Sequence, residues 1–295
     1  MDVLNDIDIN ELSNLYKTLK SSQIVQLQFT EKKDDNFWKE LNTLLNYNPK
    51  IRIRFYGYHG VWNDLSCLKL LSNLECLSIG DFELESLHFL KYVKKITELS
   101  INRPYKIISV KGIEHLKNLR ELYLNGVFKD IDIIPNFKLI ENLAIYKPTL
   151  SFMESISHFR LKYLSLTKSN FHIHYLNKFE LLKDLSLFII DKSFIDEGLK
   201  INIENLEIYS CNIENLNFIK GFKNLKTLSV NTCKKLINFS VIQEMEHLHS
   251  LKIYDCDSKA EQFITIPKLK ELKKMSIHFK TNKQEDLFDN FLKSK

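Results

Sequence analysis

The segment "LEIYSCNIENLNFIKGFKNLKTLSVNTC", which runs from Leu206 to Cys233, begins and ends on the same arrangement of side chains. The arrangement is a leucine, a branched aliphatic residue two positions later and a cysteine three positions after that. It opens at Leu206 and returns at Leu228, which lies 22 positions further along the chain. A return at this distance indicates an internal repeat, which must then be sought in the rest of the sequence.

The six-residue pattern Leu-x-x-Leu-x-Leu, with Ile, Val, Met or Phe allowed, recurs along most of the chain. Its clear matches begin at Leu74, Ile96, Leu119, Ile140, Leu161, Leu182, Ile203, Leu225, Leu248 and Leu272, at spacings of 21 to 24 residues. The segments "IVQLQF" from Ile24 and "KIRIRF" near Ile53 are looser matches. Ten matches at nearly constant spacing do not arise by chance in an ordinary globular domain.

Each repeat combines a strand pattern with a second apolar set. In "LRELYL", Leu122 and Leu124 alternate with polar residues, which predicts a strand with one buried face. The rest of each repeat must return the chain, and its apolar residues are too irregularly spaced for a long helix. It should therefore form short 3₁₀ or α turns, with the strands stacked in parallel at about 4.8 Å. One such apolar set is Ile213, Leu216, Phe218, Ile219 and Phe222.

The short period, together with segments such as "GIEHLKNLRELYLNG" over residues 112–126, resembles the leucine-rich repeat family and, within it, the internalin-like short-repeat subclass. The resemblance implies an α/β fold class, a leucine-rich repeat solenoid. Such a solenoid has a curved parallel β-sheet on its concave face and short 3₁₀ or α turns on its convex face. Because these repeats serve many different partners, the resemblance specifies the fold more closely than the function.

The two ends of the chain carry apolar residues at helical spacing, as expected of elements that cover the ends of a solenoid. Leu12, Leu15 and Leu19 form one such set, and residues 36–47 carry another. We therefore expect an N-terminal helical cap with an initial irregular repeat over residues 1–48. A solenoid of ten to eleven repeats should follow over 49–280, and a C-terminal capping helix over 281–295. An amphipathic docking helix is the alternative for the last segment.

The resemblance also implies a role for three cysteines. Five residues after the central leucine, the family usually places Asn or Cys with its side chain turned inward. Here only the last three repeats follow that rule, with Cys211, Cys233 and Cys256. A ladder of buried thiols is the favoured interpretation, and a metal or redox site is the alternative. The six earlier repeats depart from the rule, so their loops should be less regular; they carry Phe82, Pro104, Val127, Pro148, Ser169 and Ile190.

Composition narrows the classes of partner and the compartment. The net charge is +5, with Lys and Glu interspersed, so the chain lacks the basic stripe that nucleic acid requires. The acidic N-terminus does not resemble a secretory signal, and no run of 18 apolar residues predicts a membrane span. Five cysteines, an odd number, favour free thiols. We expect a cytoplasmic protein without a membrane association, although non-classical export is left open.

The motifs of catalysis and cofactor binding are missing. The 7 glycines form neither a phosphate-binding loop nor a nucleophile elbow. Two histidine pairs, His172/His174 and His247/His249, could each offer two imidazoles to zinc, but neither pair has an obvious third ligand on an adjoining turn. We therefore expect no enzyme, no cofactor, no metal site and no small-molecule substrate.

Strand alternation predicts which side chains point outward. Beside a row that is mostly serine, it places the aromatic residues Tyr123, Tyr146, Tyr163, Phe188, Tyr209 and Tyr254. It also places four carboxylates on the same face, namely Glu98, Glu121, Asp184 and Glu207. Exposed aromatic residues are enriched at binding hot spots, so this face is the predicted partner-binding site. The alternative is that Tyr, Phe and Ser occur there only because they suit a crowded sheet.

The sequence therefore predicts a non-enzymatic module that binds a partner protein through the concave face. An inhibitor or immunity-type protein of the cytoplasm is the more specific hypothesis, as found in some members of the resembling family. An effector or adaptor delivered into another cell to bind a host protein is the alternative. Nucleic acid is the third hypothesis, because Lys162, Lys183, Lys226 and Lys273 share one strand column, although glutamates interrupt that column.

Overall fold

The computed structural model describes residues 2–18, 25–102, 104–191, 199–264, 266 and 269–293. The chain divides into two compact units, Met1–Ile145 and Tyr146–Lys295. In each unit, a repeat contributes one short strand to a parallel sheet and then returns through a turn that usually contains a short helical segment. Leu19 and Ile24, which belong to a predicted helix and a loose repeat, lie outside the described residues.

In the described part of the first unit, seven strands pair in parallel, in sequence order. They are β1 (Asp2–Asn5), β2 (Val25–Phe29), β3 (Arg52–Gly57), β4 (Cys76–Asp81), β5 (Glu98–Asn102), β7 (Glu121–Asn125) and β9 (Asn142–Tyr146). Two shorter strands, β6 (Ile108–Ser109) and β8 (Phe128–Lys129), form a separate small sheet. Strand β1 was not predicted, and it lies within the range assigned to a helical cap.

In the second unit, the described residues form six strands, and neighbouring strands pair in parallel without a shift of register. They are β10 (Tyr163–Thr167), β11 (Asp184–Phe188), β12 (Asn205–Tyr209), β13 (Thr227–Asn231), β14 (Ser250–Tyr254) and β15 (Lys274–Ile277). Leu206 pairs with Leu185 on one side and with Leu228 on the other. Equivalent positions of successive repeats therefore form continuous rows.

The segments between the strands contain the short helices and turns that the irregular apolar spacing predicts. Among the residues that the structure describes, the α-helices are α1 (Ile9–Thr18), α2 (Asp35–Tyr47), α3 (Leu150–Ser155) and α4 (Asn282–Lys293). Most other return segments contain 3₁₀ turns of three to six residues, such as Asn217–Gly221. Helix α2 begins after Asp34, whose side chain accepts a hydrogen bond from the backbone N–H of Phe37 at 2.8 Å. This contact satisfies one of the unpaired N–H groups at the start of the helix.

The core lies between the sheet and the turns, as the two apolar sets predict. The central leucines from Leu77 to Leu251 are all buried, and so are the five turn residues from Ile213 to Phe222 that the sequence singled out. The leucine-rich repeat fold is therefore confirmed. The last repeat is the exception, because Leu272 and Met275 are only half-buried.

Most strands of the second unit are followed by a residue with left-handed backbone. Ile189 is one of them, with φ of 55°, and its N–H continues the ladder by donating to the carbonyl of Tyr209 at 2.9 Å. The equivalent positions are Lys168, Ser210, Thr232 and Asp255, and Lys147 has the same backbone conformation after β9. Left-handed backbone costs energy for any residue with a Cβ, so the regular pairing of the repeats maintains it. It turns the chain from the strand towards the core.

The positions that depart from the family rule differ in burial. Pro148, Ser169 and Ile190 are buried, whereas Phe82 and Pro104 are half-buried. Val127 is 41% exposed, and β8, which pairs with β6 in the separate small sheet, begins at the next residue. The expectation of irregular loops is therefore met at Val127. It is wrong at Pro148, Ser169 and Ile190, which are buried and follow a residue with left-handed backbone, as the three cysteines do.

Candidate interaction surface

The outer face of each sheet is the face that points away from the turns. In the second unit, strand register brings the predicted outward residues into rows. Ser165 pairs with Ser186, and Ser186 with Glu207, while Phe188 pairs with Tyr209. Ser165 and Ser186 are buried, so the serine row forms a low floor beneath its neighbours.

The aromatic row of the second unit is interrupted. The rings of Phe188 and Tyr209 lie 5.8 Å apart, and Tyr209 is 39% exposed. On the next strand, Asn231 occupies the equivalent position, so the row stops there. Tyr254 follows and stacks on His278, with ring centroids 4.4 Å apart. Phe188 and Tyr209 are therefore the pair that the structure brings together.

Tyr146 is set apart by its cationic neighbours. The ammonium groups of Lys147 and Lys168 lie 5.7 and 5.6 Å from the centre of its ring. Two cations near one aromatic ring are attracted by its negative face. Tyr146 is half-buried, so part of the ring still faces outward.

The predicted carboxylates of the second unit hydrogen-bond to neighbouring strands. Glu207 is exposed and accepts a hydrogen bond from the hydroxyl of Ser186 at 3.2 Å. The hydroxyl of Tyr163 in turn donates to Ser186 at 3.5 Å, which links three successive strands. Asp184 accepts a hydrogen bond from the side-chain amide of Asn205. Of the two carboxylates, Glu207 is the more exposed.

The predicted residues of the first unit are engaged within the chain. Glu98 forms an ion pair with Arg52, which lies two strands away on β3. The hydroxyl of Tyr123 donates to the carboxylate of Glu121 at 2.6 Å. Burial, and then this hydrogen bond, raise the pKa of Tyr123 above its ordinary value. Glu98 and Glu121 are therefore bound by neighbouring side chains, which leaves their carboxylates less available to a partner than the sequence suggests.

A stack of aromatic rings in the first unit was missed by the sequence analysis. Phe82 stacks on Tyr58 and on Tyr105, with ring centroids 5.1 Å apart in both cases. Tyr58 is 51% exposed and Tyr105 is 74% exposed. Their spacing could have revealed this stack, because Tyr58, Phe82 and Tyr105 follow each other at 24 and 23 residues, which is close to one repeat. Tyr58 belongs to "GYHGVW", a dense cluster of residues 57–62 that begins at the last residue of β3.

The lysine column that suggested nucleic acid is partly neutralised. Glu204 lies between Lys183 and Lys226 and is 2.6 Å from the ammonium nitrogen of each. The hydrogen bonds from Lys183 and Lys226 lower the pKa of Glu204 to about 2. Arg120 and Glu141 form a similar pair in the first unit, with N and O atoms 3.2 Å apart. Two of the glutamates that interrupt the column, Glu141 and Glu204, are therefore ion-pair partners of cations in the same column.

The structure supplies a neighbour that the sequence did not reveal for one histidine pair. The carboxylate of Glu271 lies 3.3 Å from His247 and 3.6 Å from His249. Across the described residues, however, no group of three or more histidine, cysteine, aspartate or glutamate side chains could hold a metal ion. His172 and His174 are exposed, with their rings stacked at 5.6 Å.

Cys211, Cys233 and Cys256 are buried free thiols at equivalent positions of the last repeats. The sulfur of Cys211 accepts a hydrogen bond from the N–H of Ile190 at 3.4 Å, so it satisfies a buried backbone group. The hydrogen bond with Cys211, followed by burial, raises the pKa of Cys233 to about 12. A thiol with a raised pKa is a poor nucleophile, so Cys233 fits a structural role. The same hydrogen bond with Cys233 lowers the pKa of Cys211.

A membrane-crossing helix needs about 20 apolar residues. The helices in the described part of the chain fall short of this requirement in length and apolar character.

Comparison with known proteins gives a family match over part of the chain. Residues 216–293 match the profile described as Zer-1-like leucine-rich repeats. No curated protein sequence matches the chain. Among solved structures, an internalin from Listeria monocytogenes is 18% identical, with a TM-score of 0.52 over 90% of this chain and 77% of that one. A leucine-rich repeat protein of Leptospira interrogans is 14% identical, with a TM-score of 0.48 over 94% of this chain and 82% of that one.

At such low identity, the likeness to the internalin concerns the fold alone. It agrees with the sequence repeat and with the strand and turn that each repeat forms. The repeated sequence, the observed strands and turns, and the match over residues 216–293 together show that the chain has a leucine-rich repeat fold.

Proposed function

We propose that the chain is a protein-interaction module, which binds a partner protein through the outer face of its strands and catalyses no reaction. The observation that carries this proposal is the group formed by Phe188, Tyr209 and Glu207 on β11 and β12. It combines contacting aromatic rings, one of them 39% exposed, with an exposed carboxylate.

Such a group suits a partner that presents basic side chains. Aromatic rings offer a large contact area at a low cost in side-chain entropy, and Tyr is enriched among residues that dominate binding energy. An Arg or Lys of the partner could pack on Tyr209 and pair with Glu207. The serine floor, which includes Ser186, leaves room beside the rings for a protruding side chain.

The charge arrangement favours a protein over nucleic acid. Phosphate binding needs cations that are free to replace counterions. Lys183 and Lys226 instead share Glu204, and Arg120 pairs with Glu141. These ion pairs reduce the positive charge that the lysine column could offer to a phosphate backbone.

A more specific form of the proposal is a cytoplasmic inhibitor that masks a toxin or another enzyme. The odd number of cysteines, three of which are buried without a disulfide bond, supports a reducing compartment. If fractionation of the native cells placed the protein in the medium, the delivered effector or adaptor would become the better hypothesis.

The test is affinity capture with the intact chain, compared with the double variant Tyr146→Ala/Tyr209→Ala. We expect one or more proteins to be recovered with the wild type and lost with the double variant. Thermal unfolding should be nearly unchanged, because both side chains are partly exposed and surface substitutions usually change stability by less than about 0.5 kcal/mol.

The matched control is Tyr175→Ala, which removes a half-buried tyrosine from the turn Ile173–Lys178. Partner recovery should survive this change. Recovery that is equal for the wild type and the double variant, or lost equally with the control, would contradict the use of the outer face.

A further inference from the structure

A cavity of about 670 Å³ opens on the turn side of the first unit. It lies between two consecutive 3₁₀ segments, Ile113–His115 and Ile131–Asn136. Sites for small molecules typically measure about 300–1,000 Å³ and combine apolar walls with a few polar groups. The sequence predicted no small-molecule site, and the cavity becomes visible only in the folded arrangement of the turns.

The cavity interrupts an otherwise close packing of turns. Gly112, with φ of 111°, lets the first segment approach the preceding repeat, since a Cβ there would lie 2.5 Å from the carbonyl oxygen of Leu87. On the other side, the chain turns through Asp130, which has left-handed backbone, and Pro135 lies within the second segment. The segment Ile113–His115 therefore packs closely against the preceding repeat and leaves a gap towards the following one.

The floor of the cavity is apolar. Phe137 is buried, Ile133 is half-buried and Leu139 is 40% exposed at its edge. A surface of this kind would gain free energy by covering the exposed part of Leu139 with a hydrocarbon chain.

The rim of the cavity is mainly cationic. It carries Lys111, Lys117 and Lys138, against a single carboxylate, Glu114. The carboxylate of Glu114 accepts a hydrogen bond from the N–H of Gly112 and so points back into its own turn. The ammonium group of Lys111 lies 4.0 Å from Asp130. The remaining positive charge would attract an anionic head group.

We propose that this cavity binds a long-chain carboxylate. Its hydrocarbon chain lies on the floor formed by Ile133, Phe137 and Leu139, and its carboxylate lies among the lysines of the rim. This ligand matches both halves of the site. An uncharged chain would leave the cations unused, and an anion without a chain would leave the floor exposed.

Isothermal titration calorimetry of the full chain tests this proposal, with dodecanoate below its micelle concentration as the probe and dodecanol as the uncharged control. We expect saturable binding of dodecanoate at one site and binding of dodecanol that is about tenfold weaker, a difference that narrows with added salt. Equal affinity for the two compounds, or no saturable binding of dodecanoate, would overturn the proposal.

The double variant Lys117→Glu/Lys138→Glu should weaken dodecanoate binding about tenfold and leave dodecanol binding unchanged. Lys94→Glu, which reverses an exposed charge outside the cavity, is the matched control and should have less than a twofold effect, about the size of a weak surface interaction. Unchanged dodecanoate affinity in the double variant would refute the role of the rim.

Two further variants separate loss of dodecanoate binding from misfolding and separate the cavity from the outer-face site proposed for the partner protein. Leu139→Glu places a carboxylate at the edge of the floor and should weaken dodecanoate binding while the thermal melt stays cooperative. The outer-face variant Tyr146→Ala/Tyr209→Ala should bind dodecanoate like the wild type. Normal dodecanoate binding by a folded Leu139→Glu variant would contradict the proposed site.

Discussion

Leu206 illustrates what a single side chain contributes to a stacked core. It is 2% exposed and pairs in register with Leu185 and Leu228. A shorter side chain at this position would therefore leave an apolar cavity that water does not fill. We expect Leu206→Ala to lower the free energy of unfolding by about 2–5 kcal/mol, through lost burial and the cavity left behind. Urea denaturation measures this change.

The control is Ile237→Ala, which truncates an aliphatic side chain that is 61% exposed. Its effect should stay within about 0.5 kcal/mol. Equal effects of the two substitutions would contradict the inward position of Leu206.

Ile189 adopts a backbone conformation that is unfavourable for a β-branched residue and less so for others. It is β-branched, has φ of 55° and is 45% exposed, so little packing offsets its strain. Asn tolerates left-handed backbone better. We expect Ile189→Asn to raise the free energy of unfolding by about 1 kcal/mol in urea denaturation. The same change at Ile237, which is exposed without a positive φ, should bring no gain. Destabilisation at Ile189 would show that its side chain packs usefully.

Glu204 makes stability depend on pH. Its pKa is lowered to about 2 by Lys183 and Lys226, below the ordinary value of 4.5. Because the folded state binds the proton more weakly, the stabilisation is fully present above pH 4.5 and is lost as the pH falls towards 2. Glu204→Gln should therefore be less stable than the wild type at pH 7, and the difference should shrink by pH 2.5.

Urea denaturation at several pH values measures this difference. Glu180→Gln, at an exposed position, serves as the control. A stability difference for Glu204→Gln that stays constant from pH 7 to pH 2.5 would rule out the proposed linkage.

At the scale of elements, helix α4 closes the last turn of the second unit. Phe288 is buried, with its ring 5.5 Å from that of Phe279 and 6.4 Å from that of Phe263. The side chain of Gln284 accepts a hydrogen bond from the backbone N–H of Ala260 at 2.6 Å, and the side chain of Glu285 accepts one from the N–H of Phe279 at 2.7 Å. We propose that α4 acts as the C-terminal cap, as the sequence suggested for 281–295.

Phe288→Ala should lower the free energy of unfolding by about 3–5 kcal/mol, whereas Leu292→Ala, at a position 39% exposed, should change it little. Denaturation followed by circular dichroism makes the comparison. Similar small effects of both substitutions would favour the docking helix, which does not need a buried Phe288.

Among the N-terminal elements, the helices could be predicted from sequence patterns and strand β1 could not. Helices α1 and α2 were predictable, because apolar residues at helical spacing also mark a buried face. Strand β1 has only four residues and lacks the leucine pattern. It is recognised as a strand by its parallel pairing with β2, which the local sequence does not reveal. The proposed cap over residues 1–48 therefore includes sheet as well as helix.

At the scale of the molecule, repeats stabilise their neighbours, and coupling should fall with distance along the sheet. Leu206 and Leu228 occupy adjacent strands, so their alanine substitutions should be coupled by about 0.5 kcal/mol or more. Leu164 and Leu251 lie four strands apart in the same unit, at roughly 19 Å given the usual strand spacing. Their effects should add within about 0.5 kcal/mol.

Double-mutant cycles in urea provide this comparison. Strong coupling between Leu164 and Leu251, equal to that of the adjacent pair, would contradict nearest-neighbour stabilisation and indicate that the unit unfolds only as a whole.

The sequence alone determined the repeat and the rows of buried leucines. It could do so because the alternation and spacing of apolar residues are local properties of the chain. Only the tertiary structure decided which side chains meet across the repeats. Arg52 reaches Glu98 across an intervening strand, Lys183 and Lys226 share Glu204, and Phe82 joins Tyr58 to Tyr105. These contacts join residues one or two repeats apart, so they depend on strand register, loop path and side-chain rotamer, none of which a one-dimensional period contains.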